Sequence, residues 1–569
     1  MDAINAQRWP YSRPLGFILC LSTAVALAAC GGGAAPDTTS RSLTQTSEAA
    51  ALGNNSQGAK QESGSSLSAL FAYSRPDTYR IHESRDILVP MRDGFTLTCD
   101  LYRPAEADGT PAQGKFPGIV MNYTGYGRTL YAWGNDLRPF AAKGYAAIWC
   151  NTRGAQGYDG TSPAPHSVAQ LSPWQPQEQI DNYDLIEWLA GQPWSTGRVG
   201  QIGSSYGGIS TFMVAGRQQP PSLKAIIPIQ AATDNYRHFV YPGGIRTVGD
   251  ARGMWAQGCS LFTGDPTCSA RIPQQWAAHP TFDSYWQEQT IDPANIKAAV
   301  LHVAGLQDIF LQSVDAQTPA LNARDDYVLF LGPWAHTNVD LDPTAPVPMS
   351  IYLAWFDRWL RGDVVPTFPK VIAYEMPVVS TSLDQYRALS AWPPKEAKAQ
   401  RLHLHANGGL SVGAAAGHEG SNSYSVLGDG SSGALTYTTE PFKHSEVVTG
   451  AVDVTLKVAF SATDGNVIVD LYDSGPDCLP TRIGPAGYLK ASHRISDSSP
   501  SPVVPGQAYD LKIQIPSKFW NIKEGHQLLL KVTSADTIVA SDAPAGTVTV
   551  STGKQASYID LHFTKPAEQ

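Results

Sequence analysis

The sequence predicts a mainly parallel, helix-covered α/β sheet that is interrupted by an inserted cap and followed by a β-sandwich. Three observations carry that prediction. Short apolar runs alternate with helical stretches as far as Leu331, the pattern of strand–crossover–strand units. One run, Val199–Ile202, breaks into Gly203-Ser204-Ser205-Tyr206-Gly207, a G-x-S-x-G pentapeptide. Beyond Pro394 the hydrophobic period falls to two, with turn residues between short segments.

A chain of 569 residues is long enough for two or three domains. Its apolar content of 42% against 16% charged residues argues for a compact globular body. With a net charge of -9 and no basic stripe, nucleic acid is excluded as a partner.

Residues 1–30 read as a signal rather than as fold. Arg8 and Arg13 precede an apolar run from Leu15 to Ala29 that ends Leu27-Ala28-Ala29-Cys30-Gly31. The run is short for a membrane span and has the form of a bacterial lipoprotein signal. Cys30 is then the lipid-bearing first residue of the mature chain; the alternative is an ordinary secretory peptide with an incidental cysteine. Gly31 after the cysteine points to the outer membrane, with the body facing the periplasm or the surface. Residues 31–66 lack aromatics, are rich in Gly, Ala, Ser and Thr, and read as a flexible tether. Such a tether reaches about 30 Å.

Besides the lipid-bearing Cys30, five cysteines remain after processing: Cys99, Cys150, Cys259, Cys268 and Cys478. Cys259 and Cys268 flank a Gly- and Pro-containing stretch and read as a small-loop disulfide, which an oxidising compartment permits. Cys99 and Cys150 lie in two expected strands, either bridged or as a buried thiol pair. There is no Cys-x-x-Cys and no His-Glu-x-x-His, so neither a metal nor another cofactor is expected.

In chain order, Ile87–Pro90 and Phe95–Tyr102 flank an Asp-Gly turn and read as a hairpin. Phe116–Met121 and Tyr145–Trp149 are apolar runs suited to strands buried on both faces. Between them, Asn122-Tyr-Thr-Gly-Tyr126-Gly leaves a strand end, where ligand-facing groups gather in open α/β sheets. Gln177–Gln192 reads as a helix with Ile180, Tyr183, Ile186 and Leu189 on one face, stopped by Gly191 and Pro193. Leu223–Ile229, Ala298–Val303 and Tyr327–Leu331 are further strands. The expected domains are 67–237 with 296–390 for the α/β body, 238–295 for the cap, and 391–569 for the sandwich.

A serine hydroxyl is a poor nucleophile unless a base takes its proton and an acid orients that base. The G-x-S-x-G turn would expose Ser205 at its apex, with a helix starting near Gly208. At the ends of the last two strands stand Asp308, in Gly305-Leu-Gln-Asp308, and His336, in Gly332-Pro-Trp-Ala-His336. By placement alone, Asp325, Asp326, His302 and His279 are rivals.

Several stretches together resemble the cocaine esterase and X-prolyl dipeptidyl-peptidase group of serine hydrolases, which includes the α-amino acid ester hydrolases. They are Arg153-Gly154 with Gly157, Gly160 and Ser162; Ile186-Glu-Trp-Leu-Ala190 with Pro193-Trp194; Gly203-x-Ser205-Tyr206; and Phe282–Trp286. Gly332-Pro-Trp-x-His336, Trp355–Gly362, Trp392-Pro-Pro394, Ser461–Asp464 and Ala491-Ser-His493 continue the series. The resemblance implies an α/β hydrolase fold with a helical cap and a C-terminal jelly roll. It implies Ser205 as nucleophile, His336 as base, Asp308 as its orienting acid, and the Tyr126 hydroxyl with the Tyr206 backbone N–H as the oxyanion hole.

Two departures bear on substrate. Asn151 stands where the group commonly has Asp, and the apolar Ile309-Phe310-Leu311 follows Asp308 where amine-binding members carry carboxylates. A buried ammonium without a carboxylate partner is costly. Asp234, Asp250 and Asp265 are the acids that could still supply one. The expected activity is therefore a cofactor-free esterase or acyl hydrolase acting on small ester or amide substrates, peptides included. An X-prolyl dipeptidyl-peptidase and a non-catalytic surface-binding lipoprotein are the alternatives.

Overall fold

The computed structural model describes residues 62–566 except 129–135, 156–169, 337–338, 341, 343–344, 379–382, 414–417, 477, 541 and 555. The signal, Cys30, nearly all of the tether, and Gly157, Gly160 and Ser162 lie outside the described residues. One correction falls at the tether's end. Helix α1 spans Glu62–Phe71, so the last five residues assigned to the tether are already helical. Leu67 and Leu70 of this helix are buried, which gives it an apolar face to dock and a reason to form.

The main sheet has ten strands: β1 (Arg80–Pro90), β2 (Thr96–Ala105), β3 (Phe116–Thr124), β4 (Ala146–Asn151), β5 (Ser195–Ser204), β6 (Leu223–Ile229), β7 (Ala299–Gly305), β8 (Tyr327–Gly332), β9 (Val371–Tyr374) and β10 (Tyr386–Leu389). Their spatial order is β1-β2-β4-β3-β5-β6-β7-β8-β9-β10. The run from β4 to β9 is parallel, while β1, β2 and β10 pair antiparallel. β3, β4, β7 and β8 are buried along their whole length, as continuous apolar runs require when both faces are covered. Cys99 and Cys150 are direct partners across β2 and β4 and form a disulfide.

Helix α2 (Pro176–Ala190) buries a different stripe from the one its apolar spacing suggests. Ile180 and Tyr183 are only half-buried, whereas Glu178, Gln179, Asp181 and Asn182 are buried beside Leu185, Ile186 and Leu189. A spacing of three drifts around a helix of 3.6 residues per turn, so the buried stripe follows 178, 182, 185 and 189 instead. Polar groups are thereby carried beneath the sheet's ligand edge.

After the elbow helix α3 (Tyr206–Met213), the cap contributes α4 (Ala251–Thr263), α5 (Cys268–Ala277) and the short α6 (Ser284–Gln287). The Cys259–Cys268 disulfide ties α4 to the start of α5. α7 (Gln312–Ala323) and α8 (Met349–Phe356) complete the body.

The C-terminal region folds into antiparallel sheets of seven and five strands. Its long strands, Glu446–Phe460 and Ala508–Ile522, alternate buried and outward residues over much of their length, the period-two pattern of a sandwich. This domain is stitched to the cap at several points. Val248 N–H donates to Ile538 O at 2.8 Å, Ala540 N–H to Arg246 O at 2.8 Å, and Phe282 N–H to Asp497 O at 3.0 Å. It also braces the body: Ser517 N–H donates to Asp315 of α7 at 2.9 Å.

Candidate active site

The site begins where β5 turns into α3. Ser205 sits at that corner with φ 54 and ψ -115, a backbone conformation that costs free energy and is held by its surroundings. Glycine makes the turn possible. A Cβ on Gly203 would lie 2.5 Å from the Gly207 backbone, and one on Gly208 would lie 2.6 Å from Ile229 O. Asn122, itself at φ 40, accepts the Ser204 N–H at 3.0 Å and so ties the elbow to the end of β3. Ser205 N–H donates to Ile229 O at 3.0 Å on the other side.

Ser205 Oγ lies 2.8 Å from His336 Nε2, and His336 Nδ1 lies 2.7 Å from Asp308 Oδ1. Asp308 is fully buried, and its Oδ2 has no hydrogen-bond partner among the described residues. The loops that carry these two groups are joined to each other. Leu306 N–H donates to Gly332 O at 2.8 Å, and Gln307 N–H to Trp334 O at 3.0 Å. The Phe310 ring stands edge-on to the imidazole at 5.1 Å and shields it from one side. The rivals lie elsewhere: His302 is buried within β7, His279 is paired with Asp283 at 2.6 Å, and Asp326 with Arg324 at 2.8 Å.

The hydroxyl of Tyr126 is hydrogen-bonded to the Ser205 side chain and to the Tyr206 backbone. Burial pushes this phenol up to about 12, against the pull of those two hydrogen bonds, so it remains a proton donor across neutral pH. The loop bearing it is fixed by Arg128. Its N–H donates to Asn151 Oδ1 at 2.8 Å, and its guanidinium binds Asp100 at 2.9 Å and also reaches Asp86. Asn151 thus has a structural use as an acceptor that needs no charge. A cleft of about 310 Å³, open mouth included, runs from Ser205 past Tyr126 and Gly127 to Asn122 and Trp149.

Beside Tyr206, rings from the body and the cap together form an aromatic wall. Trp174 lies 4.6 Å from the Tyr206 ring and 5.6 Å from Trp255, while Phe239 stacks on Phe310 at 5.4 Å. The three acids that could have received an amine are each matched to an arginine: Asp234 to Arg237 at 2.7 Å, Asp250 to Arg252 at 2.5 Å, and Asp265 to Arg271 at 2.8 Å. Arg252 is buried and also donates to Ile309 O at 3.4 Å, one residue beyond Asp308, so its ion pair braces the acid loop from the cap. Among the described residues no three His, Cys, Asp or Glu side chains cluster as metal ligands.

Asn122, Glu178 and the Arg252–Asp250 pair are contacts that the sequence reading missed. Only Asn122, in a loop leaving a strand end, carried a local signal.

Comparison with known proteins bears on this geometry. Residues 93–263 and 255–338 match the family model of the X-Pro dipeptidyl-peptidase (S15 family). Residues 365–563 match that of the X-Pro dipeptidyl-peptidase C-terminal non-catalytic domain. The chain is a serine hydrolase carrying the two domains of the S15 family. It is 25% identical over 541 residues to the cocaine esterase of Rhodococcus sp. (strain MB1 Bresler), covering 79% of this chain and 90% of that protein. Its fold is similar to that of a CocE/NonD family hydrolase from Staphylococcus aureus, with a TM-score of 0.71, 20% identity, and coverage of 85% and 94% of the two chains. An aminopeptidase from a Thaumarchaeota archaeon is similar at a TM-score of 0.65 and 19% identity, covering 87% and 98%. The S15-type hydrolase therefore has a small-molecule or peptide substrate, with both esterase and peptidase among its relatives.

Proposed function

We propose that this S15-type hydrolase is an esterase that works through an acyl-enzyme on Ser205. His336 takes the Ser205 proton as the hydroxyl attacks the substrate carbonyl, and Asp308 holds the imidazole in the tautomer that presents Nε2. The tetrahedral oxyanion is met by the Tyr126 hydroxyl and the Tyr206 backbone N–H. His336 then returns the proton to the leaving alkoxide, the C–O bond breaks, and water repeats the sequence to release the acid. The observation that carries this reading is the unbroken Ser205–His336–Asp308 hydrogen-bonded chain, with a phenol donor beside the nucleophile.

An uncharged ester is favoured over a peptide with a free amine because Asp234, Asp250 and Asp265 each already hold an arginine. Taking Asp250 or Asp265 for a substrate ammonium would strip a carboxylate from a buried or largely buried guanidinium, which is costly, and Asp234 is already engaged by Arg237. The test compares the wild type with Ser205→Ala on p-nitrophenyl acyl esters and on Ala-Pro-p-nitroanilide. Ester turnover that disappears in the variant, with the anilide untouched, is expected; release of Ala-Pro would overturn the ester assignment in favour of an X-prolyl dipeptidyl-peptidase.

We also propose that the chain is exported and held to the cell envelope by lipid on Cys30. The signal-like first thirty residues and the disulfides Cys99–Cys150 and Cys259–Cys268 support this. Labelled palmitate that enters the wild type and not Cys30→Ala is the expected result; equal labelling of both would refute it.

A further inference from the structure

One buried titratable group beneath the elbow is not used by the chemistry proposed above, on which this inference rests. Glu178 is 4% exposed. Its Oε2 accepts the Tyr206 hydroxyl at 2.7 Å, the Trp174 backbone donates to the same carboxyl, and Oε1 lies 3.4 Å from Ser210 Oγ, whose hydroxyl has a nearer acceptor in Tyr206 O at 3.1 Å. Tyr206 follows the nucleophile, and its backbone N–H is one of the two oxyanion donors. Its carbonyl is held as well, by the Trp174 indole at 3.1 Å. Its ring stands edge-on to that of Tyr126, the other donor, at 5.6 Å. Both donors therefore rest on one phenol ring, and the far end of that ring is anchored by Glu178.

We propose that Glu178 is a positioning residue of the oxyanion hole, that it works as the neutral carboxylic acid, and that loss of its proton slows the reaction.

The groups around it fit that role. From its own helix, Asp181 faces it, but that carboxylate is bound by Arg153 at 2.6 Å. Arg153 is shared with Asp93 at 2.9 Å and is committed away from Glu178. From β3, the Tyr123 hydroxyl donates to the Glu178 backbone carbonyl at 3.4 Å. From α3 come Tyr206 and Ser210. No cation is paired with the Glu178 carboxyl among the described contacts. Burial accordingly pushes it up to about 8, with the hydrogen bonds from Tyr206, Trp174 and Ser210 opposing the rise. Once ionised, it places a negative charge one phenol away from the oxyanion that forms in the transition state, and like charges in a low-dielectric site repel strongly.

The experiment uses the full mature chain as wild type, Glu178→Gln, Glu178→Ala, Tyr206→Phe and Ser205→Ala. It measures kcat and KM on p-nitrophenyl butyrate from pH 6 to pH 10, with a fluorophosphonate titration to count competent sites. In the wild type kcat is expected to fall about tenfold one unit above the Glu178 titration. Glu178→Gln, which cannot ionise, should lack that alkaline limb. Glu178→Ala and Tyr206→Phe should lose at least about tenfold in kcat per competent site at pH 7, with KM within about threefold, and Glu178→Gln should recover most of that loss. An alkaline limb that persists in Glu178→Gln, or wild-type kcat in Glu178→Ala, would overturn the proposal. If Glu178→Ala does not fold, the Glu178→Gln profile decides alone. Ester turnover retained by Ser205→Ala would instead overturn the site assignment, so the two failures are distinguishable.

Discussion

In the proposed mechanism, replacing Tyr126 with Phe removes one oxyanion donor and little else. The ring keeps its edge-on contact with Tyr206 at 5.6 Å, and the hydroxyl is the only atom lost. In the resting site that hydroxyl is bound to the Ser205 side chain and the Tyr206 backbone, so its removal costs folding about 1 kcal/mol, the net worth of an ordinary hydrogen bond. The cost in the transition state is larger. There the oxygen carries a developing charge inside a cleft walled by Trp149 and the Tyr126 loop, and one donor is worth about 10²- to 10³-fold in rate, or about 2.7–4 kcal/mol. Because the ground-state carbonyl draws far less on the same donor, the loss should fall on kcat, with KM within about threefold. Stopped-flow release of p-nitrophenol from p-nitrophenyl butyrate separates the two half-reactions. Acylation and deacylation each pass through a tetrahedral oxyanion, so both should slow. A kcat within about threefold of wild type, or a loss confined to KM, would refute the placement of Tyr126 in the oxyanion hole.

Further outcomes follow from the same geometry. Gly203→Ala drives a methyl to 2.5 Å from the Gly207 backbone, and should cost about 3 kcal/mol or more of stability in urea unfolding while abolishing fluorophosphonate labelling. Glu178 is raised to about 8 in the fold against 4.5 for the free side chain, so folding favours its protonated form. Its contribution is complete below the unfolded value and is lost as pH rises towards 8; Glu178→Gln should therefore gain on the wild type by a few kcal/mol between about pH 5 and pH 8, read as midpoint shifts, and a constant difference would refute this. Opening the Cys99–Cys150 bridge, whose ends are 51 residues apart, should cost more than opening Cys259–Cys268, 9 apart, by about 1.5 kcal/mol from loop entropy, measured with paired Cys→Ser variants.

What the sequence made legible follows from where the signals are local. The elbow could be read because strand, turn glycines and helix lie within a single stretch, and the parallel strands because burial on both faces leaves unbroken apolar runs such as Phe116–Met121. Asp308 and His336 stood at plausible strand ends, but only the register of β7 against β8 separates them from His302, whose side chain points into the sheet packing. Glu178 was hidden by the opposite cause. A buried carboxyl on a helix looks like a solvated one until the partner phenol is placed, and the three-residue spacing of Ile180, Tyr183, Ile186 and Leu189 drew attention to another face. The matching of Asp234, Asp250 and Asp265 to arginines two to six residues away likewise needed the cap's turns in space. A close spacing was enough to suggest Cys259 with Cys268, whereas joining Cys99 to Cys150 requires the antiparallel pairing of β2 with β4.

Peptide mass spectrometry of the wild-type protein after reaction with a fluorophosphonate tests the assignment of Ser205 as nucleophile. One phosphonylated peptide carrying the adduct on Ser205 is expected, absent from Ser205→Ala and formed much more slowly in His336→Ala. Labelling at another serine, or none in folded protein that still turns over esters, would contradict it.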